Sequence, residues 1–120
     1  MGGADMPSKK LAYIATPVAF FFIGRTPKSA LNTAITHAKK VSKIAKDMGY
    51  IPISLPMSFL KIYDEKTERD MALRDCLSVL KRCDVFFYLQ KDLPLSVGMS
   101  NELETAQDLK LEIVEIKADI

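Results

Sequence analysis

The sequence predicts an α/β fold: a small doubly wound parallel sheet with strand order 2-1-3-4 and helices on both faces. Three observations predict it. Strand-like and helix-like stretches alternate along the chain, the pattern of parallel strands joined by right-handed helical crossovers. The run VFFYLQ at residues 85–90 is apolar without interruption, as a strand covered on both faces must be. The run YIPISL at residues 50–55 carries Pro52 and is followed by Pro56, which marks a sheet edge because proline cannot donate to a central ladder.

Each element has its own justification. Residues 11–16 (LAYIAT) form a short β-favouring run stopped by Pro17 and give the first strand. The following VAFFFIG is either more strand and core or an apolar lid or subunit-contact loop. Thr26 and Pro27 supply a cap and first-turn signature, and Leu31, Ala34, Ile35, Ala38, Val41, Ile44, Ala45 and Met48 recur at helical spacing until Gly49. His37 lies off that stripe and is expected in solvent.

After the edge strand, a loop with Phe59 and Tyr63 leads to a second helix at about residues 65–82, with Met71, Cys76, Leu77, Leu80 and Cys83 toward the core. Lys66, Glu68, Arg69 and Asp70 read as its solvated start, although Arg69 and Asp75 are also placed to face a strand-end crevice. Residues 85–90 are the third strand. LEIVEIKA, from Leu111, alternates as a fourth strand at the far edge.

Composition narrows the function classes. A chain of 120 residues, 48% of them apolar, is expected to be a single domain over residues 11–120 behind a flexible tail at 1–10. With 17 basic and 15 acidic residues the net charge is +2, so no overall field favours a nucleic-acid polymer or an anionic membrane. The longest apolar loop is too short to span a bilayer, and free Cys76 and Cys83 fit a reducing, cytoplasmic setting. One histidine cannot build a metal site or supply both halves of a catalytic triad; no metal and no cofactor are expected.

The stretch LSVGMSNELETA at residues 95–106 carries the candidate chemistry. Pro94 and Gly98 interrupt regular structure, and helical spacing returns from Ser100, which can cap the helix; Glu102 then falls in its first turn. Free amides and the positive end of the helix dipole there suit an anion. The same dipole also favours a merely structural first-turn carboxylate. In the expected strand order the loop after Thr16 and the loop at residues 96–100 meet at the switch point between the first and third strands, where ligands bind in open α/β sheets.

Three stretches resemble the nucleoside 2-deoxyribosyltransferase superfamily, which includes 2'-deoxynucleoside 5'-phosphate N-hydrolases. AYIATP at residues 12–17 is similar to its first strand and turn, LKRCDVFFYL at 80–89 to its "LxxCDxxxxL", and SVGMSNELETA at 96–106 to its "SxGxxxELxxA". The resemblance covers roughly residues 11–116 and implies a flavodoxin- or Rossmann-like domain. Separately, three consecutive Phe residues at 20–22 would be an aggregation hazard on a small monomer, so a dimer or larger homo-oligomer is expected, with residues 20–23 or the second-helix face buried between subunits. The resemblance implies N-glycosidic cleavage or transfer on a deoxynucleoside or its 5'-monophosphate. Glu102 would be the nucleophile, with Tyr13 and Asp75 as its catalytic partners. Thr16, Pro17, Ser96, Gly98, Met99, Ser100 and Asn101 would bind substrate, and Ser96 and Gly98 would hold a 5'-phosphate.

The chain departs from the family at two places. Where the family carries an Asp on the second helix this chain has Cys76, and Asp75 sits one residue earlier, turned by about 100°. Thr16 replaces the usual small residue of the first turn. A non-catalytic nucleotide-binding or sensing module using the same crevice is the alternative function.

Overall fold

Seven elements follow in the order β1 (Leu11–Ile14), α1 (Lys28–Asp47), β2 (Ile51–Ile53), α2 (Arg69–Leu80), β3 (Val85–Leu89), α3 (Val97–Asp108) and β4 (Glu112–Ile116). The computed structural model describes residues 9–15, 28–55, 62, 67–89 and 97–117. The four strands form one parallel sheet in the order β2-β1-β3-β4, the order expected from the sequence. Tyr13 lies opposite Ile53 on one side and Phe86 on the other, and Leu89 lies opposite Ile116.

Strand alternation sorts the side chains into two cores. Ala12, Ile14, Val85, Phe87, Leu89 and Ile116 pack against Val41 and Ala45 of α1. Tyr13, Phe86, Cys76, Leu80, Met99 and Ala106 form the other core, so α2 and α3 share the opposite face. The central strands β1 and β3 are buried nearly throughout, whereas β2 and β4 close the edges with half-buried residues. At the amino ends, Asp84 ties β3 to β1: its N–H donates to the Leu11 carbonyl, and its Oδ2 accepts from the Leu11 N–H at 2.9 Å.

Two helices end in the same way. After α1, Gly49 takes φ +96°, its N–H reaches the Lys46 carbonyl and the Tyr50 N–H reaches that of Ala45. This closing pair uses the left-handed residue that glycine accepts most easily. After α3 the same two bonds recur, Lys110 to Gln107 and Leu111 to Ala106, with Lys110 in the left-handed position at φ 60°.

Several expectations are corrected. α3 begins at Val97, so Ser100 lies inside the helix rather than capping it, and Glu102 falls in its second turn. Starting earlier lets Met99 bury completely in register with Ala106, which offsets the roughly 1 kcal/mol that a helical glycine such as Gly98 costs. On α2 the inward row is Ala72, Cys76 and Leu80 at four-residue steps; Met71, one residue off that row, is 47% exposed. Met48, beyond the end of α1, is exposed too, and His37 is half-buried rather than solvated. The Phe-rich stretch, Thr26, Pro27, Phe59, Tyr63 and Lys66 lie outside the described residues. No helix among the described residues is long and apolar enough to cross a membrane.

Candidate functional site

The alternation of β1 turns Tyr13 toward α2 and α3, and its ring stacks on Phe86 of β3, its register partner, at a centroid distance of 5.9 Å and 7° between planes. That stack fixes the direction of the phenol. Three residues after Met99 and four before Ala106, Glu102 shares the inward face of α3 and is only 4% exposed. The Tyr13 hydroxyl donates to Glu102 Oε2. The other oxygen, Oε1, is buried without a hydrogen-bond partner among the described residues.

A carboxylate in such surroundings resists ionisation. Burial lifts Glu102 from 4.5 to about 7, and the Tyr13 hydroxyl, which stabilises the ionised form, pulls the other way without winning. The Tyr13 phenol itself is pushed well above its usual range by burial and then by the charge of Glu102. Both groups therefore exchange protons far from where water would set them.

The residue that α2 brings to the pair is Cys76, buried in the same core cluster as Tyr13. Its acidity is suppressed to about 12, first by burial and then by the nearby charge of Glu102. Asp75 is half-buried one position away and bears on the site through its charge, which adds to the rise at Cys76. Sequence reasoning placed Cys76 toward the core but gave it no part in the site beyond the absence of an acid. The signal was in its spacing, since Ala72, Cys76 and Leu80 mark one face of α2 and that face meets Tyr13.

Of the expected substrate-contacting residues, Met99 is buried in the same core cluster as Tyr13, while Ser100 and Asn101 are exposed on α3. Gly98 lies in the first turn of α3, and Thr16, Pro17 and Ser96 lie outside the described residues. A second tyrosine–glutamate pair occupies the same sheet face: the Tyr88 hydroxyl donates to Glu115 Oε1 at 3.2 Å, and the Tyr88 ring lies 6.2 Å from that of Phe86. Among the described residues, no three His, Cys, Asp or Glu side chains are grouped to hold a metal ion.

Comparisons with known proteins bear on this arrangement. The sequence matches the family described as Domain of unknown function (DUF7768) over residues 10–116. No curated protein matches it. The fold is similar to that of a 2-deoxyribosyltransferase from Bacillus psychrosaccharolyticus, with TM-score 0.64 and 18% identity over 92% of this chain and 76% of that one. It is also similar to a 2-deoxyribosyltransferase from Leishmania mexicana, with TM-score 0.60 and 18% identity over 92% of this chain and 65% of that one.

Proposed function

The chain belongs to the DUF7768 family, and we propose that it cleaves or transfers the N-glycosidic bond of a deoxynucleoside or its 5'-monophosphate, with Glu102 as nucleophile. One observation carries the reading: a buried carboxylate has one oxygen held by the Tyr13 hydroxyl and the other without a hydrogen-bond partner among the described residues. Buried acceptors are rarely left unpaired in folded proteins, and an unpaired one facing a candidate site is a place for a water, an ion or a ligand atom. The fold shared with two 2-deoxyribosyltransferases supports the sugar as that ligand.

In this mechanism Tyr13 holds Oε2 and leaves the lone pairs of Oε1 directed at C1' of the deoxyribose. As the C1'–N bond breaks, the base departs with its electron pair and positive charge grows at C1'. An ionised Glu102 in an apolar surround attracts that charge more strongly than water would allow, then bonds to C1' as an ester. Water or a second base attacks the ester from the opposite side and restores the carboxylate. The ionised form is required for attack, and the Tyr13 hydroxyl is the described group that favours it.

The second reading, a nucleotide-binding module without chemistry, draws support from Cys76. Held protonated by burial up to about 12, its thiol is a poor partner for moving a proton to a departing base. The two readings separate in one experiment. The protein is incubated with each deoxynucleoside and 5'-monophosphate, and free base is sought by chromatography. Release by the wild type but not by Glu102→Gln, together with a sugar ester on Glu102 trapped by a 2-fluoro analogue and seen by mass spectrometry, supports the enzyme; binding without release supports the module.

A further inference from the structure

We infer that Tyr88 and Glu115 are positioning residues: Glu115 fixes the Tyr88 ring, and that ring, through Phe86, keeps the Tyr13 phenol in line with Glu102. The kinetic consequence rests on the reading of Glu102 as the nucleophile, whereas the claim about geometry does not.

Three aromatic rings follow one another on the sheet face that α2 and α3 cover. Tyr13 and Phe86, register partners on β1 and β3, stack at 5.9 Å with 7° between their planes. Tyr88 stands two residues beyond Phe86, so its side chain leaves the same face of β3 one step nearer the carboxyl end. Its ring lies 6.2 Å from that of Phe86, inclined by 42°. The middle ring has no polar atom and is wholly buried, so packing alone orients it. In a close-packed interior, a neighbour that turns forces such a ring to follow.

The outer ring is held differently. Tyr88 is half-buried at the carboxyl end of the row, where side chains change rotamer more readily than in the core. Its hydroxyl donates to Glu115 Oε1 at 3.2 Å. The two residues are register partners on β3 and β4, so their side chains leave the sheet side by side and the bond follows from ordinary strand geometry. A continuous row thus runs from Glu115 through Tyr88, Phe86 and Tyr13 to Glu102, with a phenol donating to a carboxylate at each end. The inner bond is directional and weakens steeply when its donor swings off line. Freeing the outer ring therefore loosens the inner one.

The test compares wild type with Tyr88→Phe, Glu115→Ala, Glu115→Gln and the double variant of Tyr88→Phe with Glu115→Ala. The first readout is the Tyr13 Cζ signal in ligand-free protein labelled with ¹³C-tyrosine, assigned by its loss in Tyr13→Phe. The second is kcat and KM for base release. Tyr88→Phe and Glu115→Ala each move or broaden the Tyr13 signal and lower kcat about two- to tenfold with KM little changed. The double variant does no more than either one, because all three break the same bond. Glu115→Gln, which keeps an acceptor, stays near wild type.

A Tyr13 signal unmoved in Tyr88→Phe and Glu115→Ala, whatever their melting temperatures, overturns the proposal and leaves the pair as a clip between β3 and β4. Effects that add in the double variant overturn it as well. If Glu115→Ala fails to fold, Tyr88→Phe and Glu115→Gln decide alone. If the signal moves as stated while no protein releases base, the positioning role stands and the glycosidic reading falls. Base release with an unmoved signal does the reverse.

Discussion

Tyr13 of β1 donates a hydrogen bond from its hydroxyl to Glu102 of α3, 89 residues later, and both side chains are buried. The bond is the one described interaction that favours the ionised carboxylate against burial. Tyr13→Phe removes it while keeping the ring that stacks on Phe86. The Glu102 carboxyl then titrates above its present value of about 7, and base release at pH 7 falls while recovering part of its rate at higher pH. A pH–rate profile of the variant checks this; an unmoved acid limb would show that the Tyr13 bond does not tune the carboxylate.

The same carboxyl makes stability depend on pH in a direction opposite to most acids. Its folded-state value of about 7 exceeds the 4.5 of an unfolded chain, so between these values the folded protein binds more protons than the unfolded one. Stability is therefore full below about pH 4.5, declines as pH rises through 7, and levels off above it. The gap corresponds to about 3 kcal/mol. Glu102→Gln, which keeps the shape and still accepts from Tyr13, abolishes this decline and is the more stable protein at pH 8. Urea unfolding of both proteins at pH 5 and pH 8 measures it.

Glu102→Ala is a different matter. The sequence placed this residue in the first turn of its helix; buried in the second turn, its loss leaves a cavity and an unpaired Tyr13 hydroxyl. Destabilisation of about 1 to 3 kcal/mol is expected from the orphaned hydroxyl alone.

Two residues with the same left-handed backbone should respond oppositely to substitution. Lys110→Gly relieves a conformation that costs a side-chain-bearing residue roughly 1 kcal/mol or more, and the melting temperature should rise. Gly49→Ala should lower it by a comparable amount through backbone strain alone, since an added Cβ meets no atom within 4 Å. A gain on placing alanine at Gly49 would contradict this account.

A 5'-monophosphate is expected to bind more tightly than its nucleoside. With α3 starting at Val97, the first bond within the helix uses the Ser100 amide, and the amides of Val97, Gly98 and Met99 are left without helical partners. A charge-assisted bond to one of them is worth about 1.5 to 3 kcal/mol, hence a tenfold preference or more. Calorimetry with each ligand, repeated on Ser96→Ala, tests the seat; equal affinities would remove it.

The fold was legible because its signals are periodic. Alternating strands and helices, prolines near an edge strand and an uninterrupted apolar run each report on burial, and burial decides the order of the sheet. Glu102 was legible from its surrounding motif but its burial was not, because Ser100 offers a plausible cap and nothing local reveals that Met99 must turn inward. The place of Cys76 was hidden for another reason. A thiol at helical spacing reads as core, and only the meeting of α2 with β1 puts Cys76 and Tyr13 in one core cluster.

The strand order also sets a timetable for synthesis. β1 leaves the ribosome first yet occupies the interior of the sheet, flanked by β2 forty residues later and by β3, which Asp84 ties to Leu11 across 73 residues. Until β3 emerges, β1 exposes an unpaired row of backbone groups on the side where β3 will dock. Docking of β3 is a long-range closure and therefore slow, and a chain stalled before Val85 carries an open strand edge that a neighbouring nascent chain can pair with. Misassembly during synthesis, rather than unfolding of the finished protein, is where this topology is most vulnerable.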